Sequence, residues 1–312
     1  MGGILEEIEI SFKSGAETLF GALTVPEGVK NPPMVLFIGG SGPLDRNENA
    51  KMIKLNIFNT LAKTLAGNGI ASLRYDKRGC GKSEGNYFAT GHFQLVDDAE
   101  RAFEFMKTQH HVKPGPLYIA GHSEGTIIAP QISNRRHDVS GIILVAPFLQ
   151  KLDAVLVSQA AHMADDIKTM PGIGGFLTRF AVGLMGGVKK KQAKTLNRLK
   201  NSKKDVIRVG LQKLNAKWFR ELFSLDPAHI MAKIDIPTLI IAGEKDMQCA
   251  PEDAAKIART IGEKAQYHLV DNLTHIMRLE TGPASIINYK QQLKKPIAPI
   301  VGELMVDWIR QN

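Results

Sequence analysis

The sequence predicts an α/β protein in which a mostly parallel sheet carries helices on both faces. Short, continuous apolar runs alternate with helical segments, which is typical of strands buried on both sides. The segment 148–226 interrupts this alternation, because it is helix-rich and has no strand-like run of the sheet type. We interpret it as a basic helical cap domain, inserted into a core domain formed by residues 1–147 and 227–312.

The elements of the core follow from turn residues and apolar spacing. Residues 4–12 and 18–25 predict a β-hairpin at the start of the chain. The remaining strands are predicted at 33–38, 70–75, 117–120, 141–147, 237–243 and 265–270. Helices are predicted at 53–65, 94–109, 251–261 and 297–310, and another follows the strand 117–120. In an open sheet of this kind, ligands bind beyond the carboxyl ends of the strands.

The positive charge of the chain is concentrated in the expected cap. The whole sequence has a net charge of +9, whereas residues 151–225 alone contain 15 Lys or Arg against five Asp or Glu, a net charge of +10. This surface would suit anionic substrates such as acyl-CoA, although scattered lysines more often form a solvated face. We do not expect nucleic-acid binding, since no interleaved aromatic residues accompany the charge.

A glycine-rich apolar stretch within the cap, 170–188, leads directly into Lys189, Lys190 and Lys191. Two interpretations are open. The stretch is a mobile lid that touches lipid surfaces or long acyl chains. Alternatively, it is a cap helix that packs its apolar face on the mouth of the active site, with solvated lysines beyond it.

The pattern G-x-S-x-G occurs twice and marks the candidate nucleophile. In Gly121–Gly125 it follows an apolar strand and precedes a helix, the context in which a serine is held on a strained turn for attack on a carbonyl. In Gly81–Gly85 neither flank offers such an element, so we interpret Ser83 as a loop residue. Asp76 also stands where a phosphate-binding P-loop requires glycine. Ser123 is therefore the predicted nucleophile.

A serine nucleophile needs a histidine base and an acid that orients it. In chain order the acid and then the histidine follow the serine, each on a loop after a later strand. Asp246 follows the strand 237–243, and His275 follows the strand 265–270. Glu244 and Asp253 compete with Asp246 as the acid, but Asp253 stands at a helix start, where an acid is favoured anyway. We predict His275 and Asp246.

The oxyanion of the tetrahedral intermediate needs backbone N–H donors. One predicted donor is the amide of Glu124, directly after the nucleophile. The other should come from the glycine-rich loop after the strand 33–38, with Ser41 favoured and Gly40 second.

Other classes of protein find little support. Two cysteines, Cys80 and Cys249, argue against a disulfide scaffold and fit a reducing compartment. The N-terminus lacks the basic region and apolar core of a signal peptide, so we expect a cytoplasmic protein. No uncharged apolar stretch approaches the about 20 residues of a membrane-spanning helix. Cysteines and histidines show no metal-ligand spacing, and no metal is predicted.

Three motifs together resemble the α/β-hydrolase superfamily, and more narrowly bacterial carboxylesterases with a G-S-G-P-x-D-R oxyanion loop and a G-H-S-E-G nucleophile elbow. They are Gly40–Arg46, Tyr75–Gly85 and Gly121–Gly125. The match covers about residues 4–147 and 227–311. This resemblance implies an α/β-hydrolase fold and an ester hydrolase without metal or cofactor, acting on short- to medium-chain acyl groups.

The sequence thus predicts a serine carboxylesterase that forms an acyl-enzyme at Ser123. A thioesterase or peptidase using the same triad remains an alternative, as does a non-catalytic binding protein with this fold. The expected partner is a small-molecule acyl ester. We expect no nucleic-acid partner and no stable membrane insertion, and the sequence leaves a homodimer open.

Overall fold

The computed structural model describes residues 5–109, 113–184 and 187–312. Strands form one large sheet and one separate hairpin. In chain order the strands are β1 (Leu5–Ser14), β2 (Glu17–Pro26), β3 (Met34–Ile38), β4 (Ala71–Tyr75), β5 (Leu117–His122), β6 (Gly141–Val145), β7 (Val206–Val209), β8 (Gln212–Asn215), β9 (Thr238–Gly243) and β10 (Ala265–Val270).

Helices connect the strands and make up most of the segment 148–226. They are α1 (Ile57–Ala66), α2 (His92–Lys107), α3 (Gly125–Ser133), α4 (Leu152–Thr169), α5 (Gly172–Leu184), α6 (Val188–Asn201), α7 (Ala216–Phe223), α8 (Pro227–Met231), α9 (Pro251–Ile261), α10 (Tyr289–Gln292) and α11 (Pro299–Gln311). None of those in the described part of the chain combines the length and apolarity needed to span a bilayer.

The main sheet has eight strands in the order β1-β2-β4-β3-β5-β6-β9-β10. β2 pairs antiparallel with β1 and β4, and the pairs from β4 onward are parallel. Alternate residues of a strand supply two cores, one on each face. Leu36 and Ile119 pack on the side of α2 and α3, whereas Val35 and Tyr118 pack on the side of α1 and α11. This doubly covered, mostly parallel sheet confirms the predicted fold class.

Several predicted boundaries shift for local reasons. The helix predicted from residue 53 begins at Ile57, because Ala50 and Ile53 pair in a β-bridge and Asn56 has a left-handed φ of 53°. The helix predicted at 94–109 spans His92–Lys107 instead. The other core elements differ from their predicted ranges at their ends only.

The segment 148–226 departs from its prediction in two ways. It contains the antiparallel hairpin β7–β8, so the expectation that it holds no strand was wrong. The turn of this hairpin contains Gly210, whose φ of 61° lies in the left-handed region that glycine tolerates. In addition, one of the two interpretations of the stretch 170–188, a cap helix that packs its apolar face on the mouth of the site, is wrong, because α5 is a helix but its Phe176 and Phe180 are exposed. That these residues act as a separate cap domain stays a proposal, and we call them the cap segment.

Close packing between β5 and α3 depends on two glycines. A Cβ at Gly121 would lie 2.2 Å from the Gly125 carbonyl oxygen, and one at Gly125 would lie 2.1 Å from the Ile38 carbonyl oxygen. Both distances are far below van der Waals contact and involve backbone, which cannot rotate away. The helix can therefore approach the strand ends only if both positions lack a side chain.

We predict that Gly121→Ala lowers the free energy of unfolding by about 2–4 kcal/mol, because the backbone must move to admit the methyl group. Thermal unfolding by circular dichroism measures this. Gly174→Ala is the matched control, since its Cβ would meet open space within a helix and should be neutral or stabilising by up to about 1 kcal/mol. Equal melting temperatures for Gly121→Ala and wild type would contradict the packing argument.

Candidate active site

Ser123 lies on the turn between β5 and α3, where the strand has ended and the helix has not begun. Its φ of 52° is in the left-handed region, which is unfavourable for a residue with a side chain. A hydrogen bond from its N–H to the Val145 carbonyl oxygen, 3.0 Å long, fixes the turn against β6. Strain of this kind persists where surrounding packing enforces it. The side chain is partly exposed and faces a cavity.

Asp246 and His275 come together from the loops after β9 and β10. His275 Nδ1 lies 2.8 Å from Asp246 Oδ2, and both side chains are buried. The other carboxylate oxygen, Oδ1, accepts hydrogen bonds from the amides of Gln248 and Cys249. Because an ionised carboxylate only accepts, Nδ1 carries the proton and Nε2 is left as a proton acceptor.

Two cavities meet at Ser123. One, of about 250 Å³, is lined by Ser123, His275, Gly40 and Ser41 among others. The second, of about 480 Å³, extends from Ser123 and Glu124 toward α4, β8 and α7 of the cap segment. The loop after β3 passes close to the serine, since a Cβ at Gly40 would lie 3.2 Å from Ser123 Cβ. The structure therefore brings the predicted nucleophile, base and oxyanion loop to one place.

The predicted oxyanion donors differ in availability. The Gly40 N–H donates to Glu48 Oε1 over 2.6 Å, and the Gly40 carbonyl oxygen accepts from Lys77 Nζ over 2.5 Å. Its amide is thus already used, and we drop Gly40 as a donor. In the described part of the chain, the amides of Ser41 and Glu124 donate to no other group. These two remain the proposed donors.

The rival residues have structural partners of their own. Asp253 accepts hydrogen bonds from the Leu149 amide and from Lys256 Nζ. Glu244 accepts from the Asn272 amide. Ser83 is a buried loop residue whose hydroxyl donates to the Asp76 carbonyl oxygen.

Asp76 also braces the turn that follows it. Its carboxylate accepts from the Lys82 amide and pairs with Arg46 at 2.7 Å, which ties the Arg-Gly turn to the oxyanion loop.

A buried pair that sequence reasoning missed, Glu48 and His122, connects the oxyanion loop to the loop of the base. His122 Nδ1 lies 2.9 Å from Glu48 Oε1, and His122 Nε2 lies 3.0 Å from the His275 carbonyl oxygen. Burial alone would lower the pKa of His122, but the Glu48 carboxylate raises it above its usual value. Since both ring nitrogens face acceptors, the ring is charged and donates from both. No motif marks Glu48.

The side chain of Glu124 forms a second buried network that the sequence did not reveal. Lys77 Nζ lies 2.9 Å from Glu124 Oε2, and Trp218 Nε1–H donates to Oε1 over 2.5 Å. His92 Nδ1 is 3.5 Å from the same Oε1. Burial would raise the pKa of Glu124, but the charge of Lys77 and the contact with His92 lower it to about 2. Trp218 belongs to α7, so this carboxylate ties the elbow to the cap segment.

One cluster brings together three groups that are able to bind a metal. Asp246, Cys249 and His275 place an oxygen, a sulfur and a ring nitrogen within 4.8 Å of one another. Burial raises the pKa of the Cys249 thiol well above its usual value, and the charge of Asp246 raises it further. A metal ligand must be the thiolate. The arrangement fits a neutral thiol packed beside an Asp–His pair better than a metal centre.

We predict that Glu124→Gln removes a pH-dependent part of the stability. The pKa of Glu124 in the folded protein is about 2, below its model-compound value of 4.5, so the unfolded chain binds the proton first as pH falls. The carboxylate therefore stabilises the fold above about pH 4.5, by about 3 kcal/mol, and this contribution is lost between about pH 5 and 2. Melting temperatures measured across this range should fall less steeply in Glu124→Gln.

At pH 7 the same variant should be less stable than wild type, because Lys77 loses its buried partner. Glu303→Gln, an exposed change on α11, is the matched control and should keep the wild-type slope. Parallel curves for wild type and Glu124→Gln would contradict the assigned pKa.

Comparisons with known proteins agree with this architecture. A family model described as serine aminopeptidase S33 matches residues 54–282, more than half of the chain. Esterase EstD from Thermotoga maritima is 28% identical over 276 residues, which cover 87% of this chain and 61% of EstD. The chain therefore matches about three fifths of the length of that relative.

Solved structures with low sequence identity share the fold. Est1E from Butyrivibrio proteoclasticus, in a structure with ferulic acid bound, has a TM-score of 0.61 at 16% identity over 96% of this chain and 99% of that one. The Pyrococcus furiosus esterase Pf2001 has a TM-score of 0.59 at 16% identity over 97% and 91%. With the elbow, the loop order and the sheet already described, the chain belongs to the serine aminopeptidase S33 family and has the α/β-hydrolase fold.

Proposed function

We propose that the protein is a serine carboxylesterase that hydrolyses short- to medium-chain acyl esters. The observation that carries this proposal is the buried Asp246–His275 pair beside a cavity that Ser123 also lines. Likeness to esterase EstD supports the choice of an ester as substrate. Two amides without a partner in the described chain, those of Ser41 and Glu124, supply the remaining component.

In the proposed first step, the Ser123 hydroxyl attacks the ester carbonyl and His275 Nε2 takes its proton. Asp246 keeps the Nδ1–H of His275 oriented and stabilises the imidazolium that forms. The carbonyl oxygen becomes an oxyanion and accepts hydrogen bonds from the Ser41 and Glu124 amides, each such donor being worth about 10²–10³ in rate. His275 then gives its proton to the alkoxide, and the alcohol leaves.

The second half repeats these steps with water. His275 takes a proton from water as the water attacks the acyl-enzyme, the oxyanion forms again, and the proton returns to Ser123 as the acid departs. The charged His122 supports this cycle indirectly, since its Nε2–H donates to the backbone carbonyl of His275. We propose that it positions the loop of the base.

The larger cavity suits an acyl chain. Its volume of about 480 Å³ is within the usual range of small-molecule sites, and most of its lining is apolar. The cap segment contributes Leu152, Val155, Leu156, Phe219 and Leu222 to this lining. Each methylene buried there should favour binding by about 0.8 kcal/mol, or about fourfold.

A peptidase remains the second candidate, because the family is described as serine aminopeptidase. An aminopeptidase needs an acidic group to bind the free amino terminus of its substrate. Of the described residues that line the larger cavity, Glu124 is the only acid, and Lys77 and Trp218 already occupy its carboxylate. This favours a neutral ester over an N-terminal amine.

We predict that Ser123→Ala abolishes hydrolysis of p-nitrophenyl butyrate, with a loss of at least about 10⁴-fold in kcat. A fluorophosphonate probe should label wild type at Ser123 and leave Ser123→Ala unlabelled, as read by mass spectrometry. Asp246→Asn should lower kcat by about 10⁴ as well, because His275 then has the wrong tautomer.

Ser83→Ala is the matched control, since Ser83 stands in the same G-x-S-x-G pattern and should keep both labelling and activity. Labelling that persists in Ser123→Ala would refute the assigned nucleophile. Cleavage of amino-acid p-nitroanilides together with no hydrolysis of esters would favour the peptidase. Labelling with no turnover on esters, thioesters or anilides would favour a binding role.

Chain-length selectivity tests the proposed acyl cavity separately. Val155 lies on α4 with 6% of its surface exposed and lines the larger cavity. We predict that Val155→Phe lowers kcat/KM for octanoate esters by about tenfold or more while acetate esters change little, because excluded methylenes lose about fourfold each. Val157→Phe, at a 55% exposed position of the same helix, should keep the wild-type profile. An unchanged profile in both variants would place the acyl chain elsewhere.

A further inference from the structure

Helix α5 presents a row of large apolar side chains to solvent. Ile173, Phe176, Leu177 and Phe180 recur at the spacing of one helical face and are 80%, 61%, 58% and 60% exposed. Exposed single apolar residues are common, but a contiguous row of four is not. We call these four residues the outer face of α5.

The side of α5 that packs inward is made of smaller or polar groups. Gly175 is buried against the Met170 backbone, and Thr178, Arg179 and Val182 are half-buried. Arg179 Nη1 donates to the Met170 carbonyl oxygen over 2.7 Å. This orientation is the reverse of an ordinary surface helix, whose apolar stripe faces the core. The hydrophobic effect opposes such an arrangement unless another apolar phase covers the outer face.

We propose that the outer face of α5 docks the protein on an anionic lipid surface. The charge around it supports this partner. Residues 151–225 have a net charge of +10, and the lysines that follow α5, including Lys189, Lys190 and Lys194, are exposed. An amphipathic helix with Phe and Leu on one face and lysines nearby binds in the plane of an anionic interface. Each basic residue near such a surface adds about 1 kcal/mol, which is about fivefold in affinity.

A second copy of the chain is a poorer occupant on electrostatic grounds. A twofold interface places the same patch on both subunits, so it would bring two segments of charge +10 against each other. Like charges at an interface cost affinity. An anionic lipid surface is instead complementary to this charge.

A cavity behind α5 also favours a lipid. This cavity, of about 510 Å³, is lined by Val182 of α5 and by apolar residues of α4 and α6. Leu156, Leu214 and Phe219 line both this cavity and the one that contains Ser123. The cavity behind α5 is therefore adjacent to the cavity that Ser123 lines, and these shared side chains lie between the two. A surface that supplies acyl chains fits both sides of the helix.

The test is co-sedimentation of the full chain with vesicles of phosphatidylglycerol or of phosphatidylcholine. Wild type should bind the anionic vesicles at least about tenfold more tightly, with affinity falling as salt rises. The double variant Phe176→Ser/Phe180→Ser should lose about tenfold or more, and Lys189→Glu/Lys190→Glu should lose a comparable factor. Met52→Ser is the matched control, because Met52 is an apolar residue that is 90% exposed and lies outside the cap segment. This variant should bind vesicles as wild type does.

Circular dichroism verifies that each variant is folded. We expect all of them to fold, because the substituted side chains are exposed. Labelling of Ser123 by the fluorophosphonate probe in these variants separates this proposal from the proposed esterase function, which does not depend on it. Absence of wild-type binding to anionic vesicles would overturn the proposal, as would equal binding by the Phe176→Ser/Phe180→Ser variant. A wild-type dimer that this variant converts to monomer, with no vesicle binding, would assign the outer face to a second copy.

Discussion

The buried carboxylate of Glu124 joins segments that are far apart in the chain, and the geometry around Ser123 depends on it. Lys77, in the turn after β4, pairs with this carboxylate and also donates to the Gly40 carbonyl oxygen of the oxyanion loop. Trp218 donates to the same group from α7. Because a buried charge without its partner is costly, the elbow, the oxyanion loop and the cap segment must keep their relative positions together. The charged His122 similarly joins the oxyanion loop, through Glu48, to the backbone of the loop that carries His275.

The sequence predicted the sheet, and it named the proposed reactive groups that the structure brings together, because both leave local signals. Apolar strand runs end in loops, and chain order then selects Asp246 and His275 from many acids and histidines. Residues that support them were not predictable in this way. Glu48 and His122 are separated by 74 positions and Trp218 and Glu124 by 94, and no spacing or motif relates them. Their partnership arises from folding in three dimensions, which a single sequence does not display.

The cap segment shows the same limit in another form. The stretch 170–188 was left with two interpretations, a mobile lid or a packed cap helix, and Gly172–Leu184 of it forms the helix α5. An apolar stretch in a sequence does not say which neighbour its apolar side chains will meet. That neighbour depends on how α4 and α5 cross. In the structure the face of α5 that contains Gly175 packs against the backbone of Met170, at the end of α4. The large side chains of Phe176 and Phe180 lie on the opposite face and are exposed. The prediction of a strandless segment failed for a simpler reason, since β7 and β8 are each four residues long.

Direct pairing of β6 with β9 has a consequence for how proteins of this architecture diversify. Ile142 lies opposite Thr238 and Val145 opposite Ile241, so the residues inserted between the two strands leave no gap in the sheet. The inserted segment can therefore be replaced by one of a different length while the reacting groups stay in register. Such an exchange would have to preserve the ties between this segment and the core, among them the bond from Trp218 to Glu124 and the bonds from Gln159 and His162 to the backbone of the loop after β9. The lining of the larger cavity can therefore change with this segment while the register of the sheet stays the same.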